Sequence, residues 1–147
     1  MRPDYRVAFA LAGATLLAAS TSNEETLTVP LSGQAELNFA HPFGSTGDLD
    51  GSGLVKLAIA PAQRKVCYDF SLSDVGTPMM VHIRQAKALQ NGPPIVSLFT
   101  GPGGELDGCA PANTRQLEDM IAHPDDYYVS IATTEYPDGA LRGQLAS

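Results

Sequence analysis

Apolar residues in this chain recur mostly at every second position, in short runs broken by turn residues. The clearest run is residues 53–60, where Val55, Leu57 and Ile59 alternate with Leu54, Lys56, Ala58 and Ala60. Successive side chains on a strand point to opposite faces, so this run offers one apolar row to a core. Residues 65–72 (KVCYDFSL) repeat the pattern with Val66, Tyr68, Phe70 and Leu72, after a turn at 61–64. Further strands are predicted at 26–31 (TLTVPL), 34–39, 79–84 (MMVHIR) and 94–100 (PIVSLFT). Pro30 in the first of these suits an edge or a strand end. Residues 127–145 (YYVSIATTEYPDGALRGQL) form a closing hairpin. Its first strand is aromatic and β-branched, its turn is Pro137-Asp138-Gly139, and its return strand carries Leu141 and Leu145.

Helical spacing is found once. Leu117, Met120 and Ile121 share a side, Asn113 precedes them as a cap and Pro124 follows as a stop, which predicts one helix over about residues 114–123. Residues 101–111, rich in Gly, read as loop. The sum is an all-β fold, a Greek-key β-sandwich or flattened barrel of seven to eight antiparallel strands, with one short helix before the C-terminal hairpin.

The first twenty residues carry a different pattern. Arg2 and Arg6 precede a short apolar run at 7–19 (VAFALAGATLLAA), and Ala18-Ala19-Ser20 offers small residues for cleavage. Residues 1–20 are therefore expected to be a signal peptide, and 21–147 the folded domain. The run is too short to span a bilayer comfortably, so no membrane span is expected after cleavage. This places the protein outside the cytoplasm, in the periplasm or the extracellular space.

Charge narrows the partners. The formal net charge is −7, and without Arg2, Arg6 and Asp4 it becomes −8. Nucleic acid is excluded as a partner, because binding there rests on Lys and Arg neutralising phosphates. Export also gives the two cysteines a meaning. With only Cys67 and Cys109 there is one possible pairing, and an oxidising compartment favours a structural disulfide.

Residues 31–36 (LSGQAE) with 47–53 (GDLDGSG) come first in a series of four patches. Val66-Cys67-Tyr68 is second, and His82-Ile83 with Asn91-Gly92-Pro93 and Ile95-Val96 is third. The fourth is Tyr127-Tyr128-Val129 with Tyr136-Pro137, Gly139 and Leu141-Arg142-Gly143-Gln144-Leu145. In this order they resemble the CHRD domain, the module named after the growth-factor antagonist chordin and also found alone in exported bacterial proteins. The resemblance spans nearly all of the mature chain. It implies an extracytoplasmic all-β domain; the preferred reading is a non-enzymatic binding or structural module, and no cofactor is expected.

The family pattern resembles His-Ile-His followed by a glycine-rich run, with a third His in the segment matching 127–133. Here His82 is kept, Arg84 stands at the second position and Ala132 at the third, and Ala86 and Leu89 stand where the family tends to have glycine. Two imidazoles two residues apart on a strand could share a metal, but a guanidinium cannot be a ligand. No metal is therefore expected, with residual copper or zinc binding as an alternative.

His82 and Arg84 should share a face of their strand. They could bind a small anionic ligand or substrate, Arg84 gripping it as a fork and His82 acting as hydrogen-bond partner or general base. The plainer reading makes His82 a hydrogen-bonded strand residue and pairs Arg84 with a surface acid. Residues 47–53 superficially resemble a calcium loop, but lack most of its ligand series and read as a tight turn. His41 and His123 show no ligand spacing. Arg142 and Tyr128 are expected to be structural: an Arg pointing inward would need a carboxylate or carbonyl partner, and would seat the hairpin on the sheet.

Overall fold

A computed structural model of the chain describes residues 23–36, 47–102 and 104–146. The expected signal peptide, His41, and the 37–39 part of the expected second strand lie outside these residues. Among the described residues eight strands form one antiparallel sheet. They are β1 (Glu25–Ser32), β2 (Ser52–Ala60), β3 (Lys65–Ser73), β4 (Pro78–Gln85), β5 (Pro94–Thr100), β6 (Asp107–Pro111), β7 (Tyr127–Thr133) and β8 (Leu141–Gln144), with helix α1 (Thr114–Ala122) between β6 and β7. The strand order is β5-β4-β7-β8-β1-β2-β3-β6. The two ends of this sheet meet. Tyr68 on β3 donates a hydrogen bond to the Leu98 carbonyl on β5 at 3.4 Å, and its ring lies 6.3 Å from Phe99. With β5 beside β6, strands β3, β6, β5 and β4 follow a Greek-key path around a nearly closed, flattened barrel.

Alternation decides what fills the barrel. Val29 and Leu31, Val55, Leu57 and Ile59, and Val66, Tyr68 and Phe70 face Val81 and Ile83, Val96 and Leu98, Val129 and Ile131, and Leu141 across one core. Helix α1 packs against β2, β3 and a 3-10 turn at Pro61–Gln63, with Leu117 and Met120 buried. The Asn113 side chain caps α1 by accepting from the Arg115 amide at 2.9 Å.

Three expectations need correction. Residues 107–111 are not loop but strand β6, which places Cys109 directly opposite Cys67 on β3; a five-residue strand punctuated by Gly108 and Pro111 gives little periodic signal. The two cysteines are joined, with Cα atoms 3.9 Å apart. Gln34 and Ala35 lie in a turn rather than a strand. Pro30 sits on an internal strand, but one whose pairing with β8 is confined to Ser32 and Arg142, so the missing amide interrupts no ladder there.

Strand β7 is buried along its whole length. Its inward residues fill the core, while of its outward residues Tyr128 meets Gly92 and Ser130 meets Glu36, both from connecting segments. This roof over the outer face of β4, β7 and β8 holds most of the polar residues singled out from the sequence.

Candidate functional site

The register assembles the site. On the outer face His82 of β4 lies opposite Ser130 of β7, and Ser130 opposite Arg142 of β8; Arg84 lies opposite Tyr128, and Tyr128 opposite Gln144. Two rows of three polar or aromatic side chains thus cross the same three strands.

Arg142 points away from the barrel interior, not into it, yet is only 2% exposed. Residues 86–93 fold back over it. Its guanidinium donates to the Lys87 carbonyl at 3.0 Å, to Asn91 Oδ1 at 3.1 Å and twice to Gln144 Oε1 at 3.3 and 2.9 Å. The plane rests 3.6 Å from the centre of the Tyr128 ring, a cation–π contact made strong by exclusion of water. Burial lowers the pKa of Arg142, while Tyr128 and Glu36 oppose that shift. The other members of the cluster hold the same roof. The Gln144 amide donates to the Ala86 and Asp125 carbonyls at 3.1 and 3.0 Å, and the Tyr128 hydroxyl accepts from the Gly92 amide at 3.2 Å.

Arg84 is placed differently. It is half-buried, its Nη1 donates to the Gly92 carbonyl at 3.1 Å, and its Nε is buried without a partner. The partner is a carbonyl, where a surface acid was expected. Glu36, from the turn after β1, is 3% exposed and accepts from Ser130 Oγ at 3.4 Å. Gly139, at φ 143°, packs so close to Glu36 that an added Cβ would lie 2.4 Å from its carboxyl carbon. Only glycine suits both that backbone and that approach. Between these groups lies a polar cleft of about 70 Å³ lined by Glu36, Arg84, Asn91, Tyr128, Ser130 and Asp138.

His82 does not line this cleft. It stands on the same face as Arg84, as expected, flanked in register by Ser97 and Ser130. Burial, then the positive charge of Arg84, lowers its pKa, leaving a neutral imidazole at neutral pH. Ala132 lies opposite Met80 on this face. Positions 82, 84 and 132 therefore share a surface, and among the described residues His82 is the one imidazole there. Among the described residues no group of three or more His, Cys, Asp or Glu could hold a metal.

The turn at 47–53 uses its carboxylate internally, Asp48 Oδ1 accepting from the amides of Asp50 and Gly51 at 3.2 Å each. His123 caps α1 and its Nδ1 lies 3.1 Å from Asp119 Oδ1. The other Asp119 oxygen accepts from the Tyr127 hydroxyl. These bonds, Tyr127 first, hold the Asp119 carboxyl below its ordinary range. Sequence reading missed Glu36, Asn91 and Asp138 as members of the cleft. Each sits in a connecting segment, where no periodicity says which strand it will cover.

Comparison with known proteins gives one result. The family model of the CHRD domain matches residues 27–145. Neither the curated proteins nor the solved structures contain a match.

Proposed function

Because the chain belongs to the CHRD-domain family, we propose that it is an exported, non-enzymatic module that works by binding a partner or ligand. The observation that carries this reading is how the polar residues of the outer face are engaged. Arg142, Gln144 and Tyr128 are tied to backbone and amide groups of the roof, the arrangement of a scaffold that fixes surface loops. The barrel interior is filled with aliphatic and aromatic side chains, and the polar cleft of about 70 Å³ is well below the roughly 300 Å³ at which substrate pockets usually begin. A larger hollow of about 340 Å³ beside Leu72, Thr77 and Leu106 has no titratable side chain in its described lining. The separation of His82 from the cleft weighs against the enzyme reading, since a general base must reach the proton it takes.

Export is supported by the disulfide, a bond that persists in oxidising compartments. No helix among the described residues is long and apolar enough to cross a membrane. Elemental analysis of protein purified without a His tag tests the remaining alternative. Copper and zinc are expected well below one equivalent, and stoichiometric metal would replace the binding-module reading with a metal-centred one.

A further inference from the structure

We propose that the hollow at the mouth of the barrel, between the β3–β4 and β5–β6 connections, binds a small apolar cation, a compact hydrocarbon or aromatic body carrying one ammonium group. The proposal rests on the binding-module reading and names the chemistry of what is bound.

The hollow has the size and the walls of a ligand site. It measures about 340 Å³ and is lined by Leu72 near the end of β3, Val75 and Thr77 in the connection, Pro78 opening β4, and Gly104 and Leu106 ahead of β6. That volume lies in the range of small-molecule sites, which recur in the mouths of β-barrels. Leu72 continues the inward row of Tyr68 and Phe70 on β3, and Leu72 and Val75 pack against the core. One wall of the hollow is therefore the end of the hydrophobic core. The β5–β6 connection forms another wall and rests on Phe99, for an added Cβ on Gly104 would lie 2.2 Å from that ring. No charged side chain lies in the described lining, so an apolar body enters without stripping water from a charge.

Charge around the hollow then selects among apolar ligands. The stretches that carry it, 69–78 and 99–108, hold Asp69, Asp74, Glu105 and Asp107 and no Lys, Arg or His. Asp74 precedes Val75, and Glu105 and Asp107 flank Leu106, so each is a chain neighbour of a lining residue. Asp107 stands directly opposite Asp69, a like-charge pair that Lys56, opposite Asp69 on β2, offsets in part. Among the described residues none of the four acids is in a salt bridge. Their field also reaches the inner face: after burial, the charges of Glu105 and Asp107 raise the pKa of Tyr68. A hollow with apolar walls and charge of one sign around it concentrates ions of the other sign. An ammonium at the mouth is attracted while its body fills the hollow, and a carboxylate on the same body is repelled.

The test is an NMR titration of the ¹⁵N-labelled protein with 1-naphthylmethylamine, 1-naphthylacetate and 1-naphthylmethanol, one ring system with positive, negative and no charge. The amine should shift the amides of Val75, Thr77, Gly104 and Leu106 saturably, with a Kd of about 1 mM or tighter. The acetate should bind at least about tenfold more weakly, with the alcohol between them. Thr77→Trp fills the hollow from an exposed position and should weaken the amine by at least about tenfold. Glu105→Gln/Asp107→Asn changes two exposed residues and should bring amine and acetate to within about threefold of each other. Acetate binding the parent as tightly as the amine would overturn the proposal. So would amine binding indifferent to T77W, or a charge preference that survives the double substitution. The absence of saturable shifts would also overturn it, while leaving a macromolecular partner as the content of the binding-module reading.

Discussion

Arg142 and His82 share one face of the sheet, and burial lowers the pKa of both, yet leaves the first charged and the second neutral at neutral pH. Arg142 stays charged because every direction it points offers an acceptor or a ring. Arg142→Ala would leave Lys87 O, Asn91 Oδ1 and Gln144 Oε1 without their donor. A hydrogen bond to a charged group contributes about 1.5–3 kcal/mol, so with several lost together a loss of at least about 3 kcal/mol is expected. A calorimetric melt should show a Tm lower by about 10 °C or more; an unchanged Tm would remove Arg142 from the stabilising residues. His82 has a pKa lowered by burial and by Arg84. The unfolded chain takes up its proton near the ordinary value of about 6.5, while the folded chain stays neutral to lower pH. The contribution is therefore intact above about pH 6.5 and declines as the pH falls through it, levelling off below the folded pKa. Urea melts of His82→Gln between about pH 7 and 5 should show a shallower loss than the parent. Equal slopes would assign the acid sensitivity to another group. The sequence made Arg142 visible as a residue needing partners, but not on which side of the sheet it would find them.

At the scale of elements, β6 shows what a sequence pattern hides. Its five residues carry one buried side chain, Ala110, so no alternation marks it. It is the edge of the sheet, joined to β3 by five register pairs and by the Cys67–Cys109 bond on the outer surface. The double variant Cys67→Ser/Cys109→Ser should lose about 4 kcal/mol, the value for a loop closed across 42 positions. Hydrogen exchange should then rise first along β6 and at its seam with β5, where the barrel closes. Uniform protection of β6 without the bond would show that strand pairing alone secures the edge. The return strand β8 has the opposite character, because its pattern is legible residue by residue. Arg142 and Gln144 face outward to the roof, and Gly143 between them faces β1, where an added Cβ would sit 2.2 Å from the Pro30 carbonyl. In the roof, Leu89 adopts φ 64° with its side chain 77% exposed. That is the left-handed region where glycine is cheapest, and the position where the family tends to have glycine.

For the whole molecule, the disulfide and the apolar N-terminal run fit the proposed export, and the net charge of −7 makes the chain anionic. Expression of the full chain in a secreting host should yield a product cleaved near residue 20, its mass 2 Da below the reduced value for one S–S bond. An uncleaved, membrane-pelleted product would overturn this reading. The architecture was legible because alternation at 53–60, 65–72 and 127–133 is a local property: a two-residue period fixes which face is apolar before any strand finds its neighbour. The same holds for the α1 cap and for the pairing of the only two cysteines. Tertiary structure decided what depends on distant segments meeting. It set the strand order, the seam closed by Tyr68 and the roof of residues 86–93 over β8. It also brought Glu36, Asn91 and Asp138, far apart in the chain, to one cleft with Arg84. It placed His82 two residues from Arg84 yet outside that cleft. A single face says which way a side chain points, whereas a site requires several chain segments to arrive at one place, and their arrival is set by packing across the whole barrel.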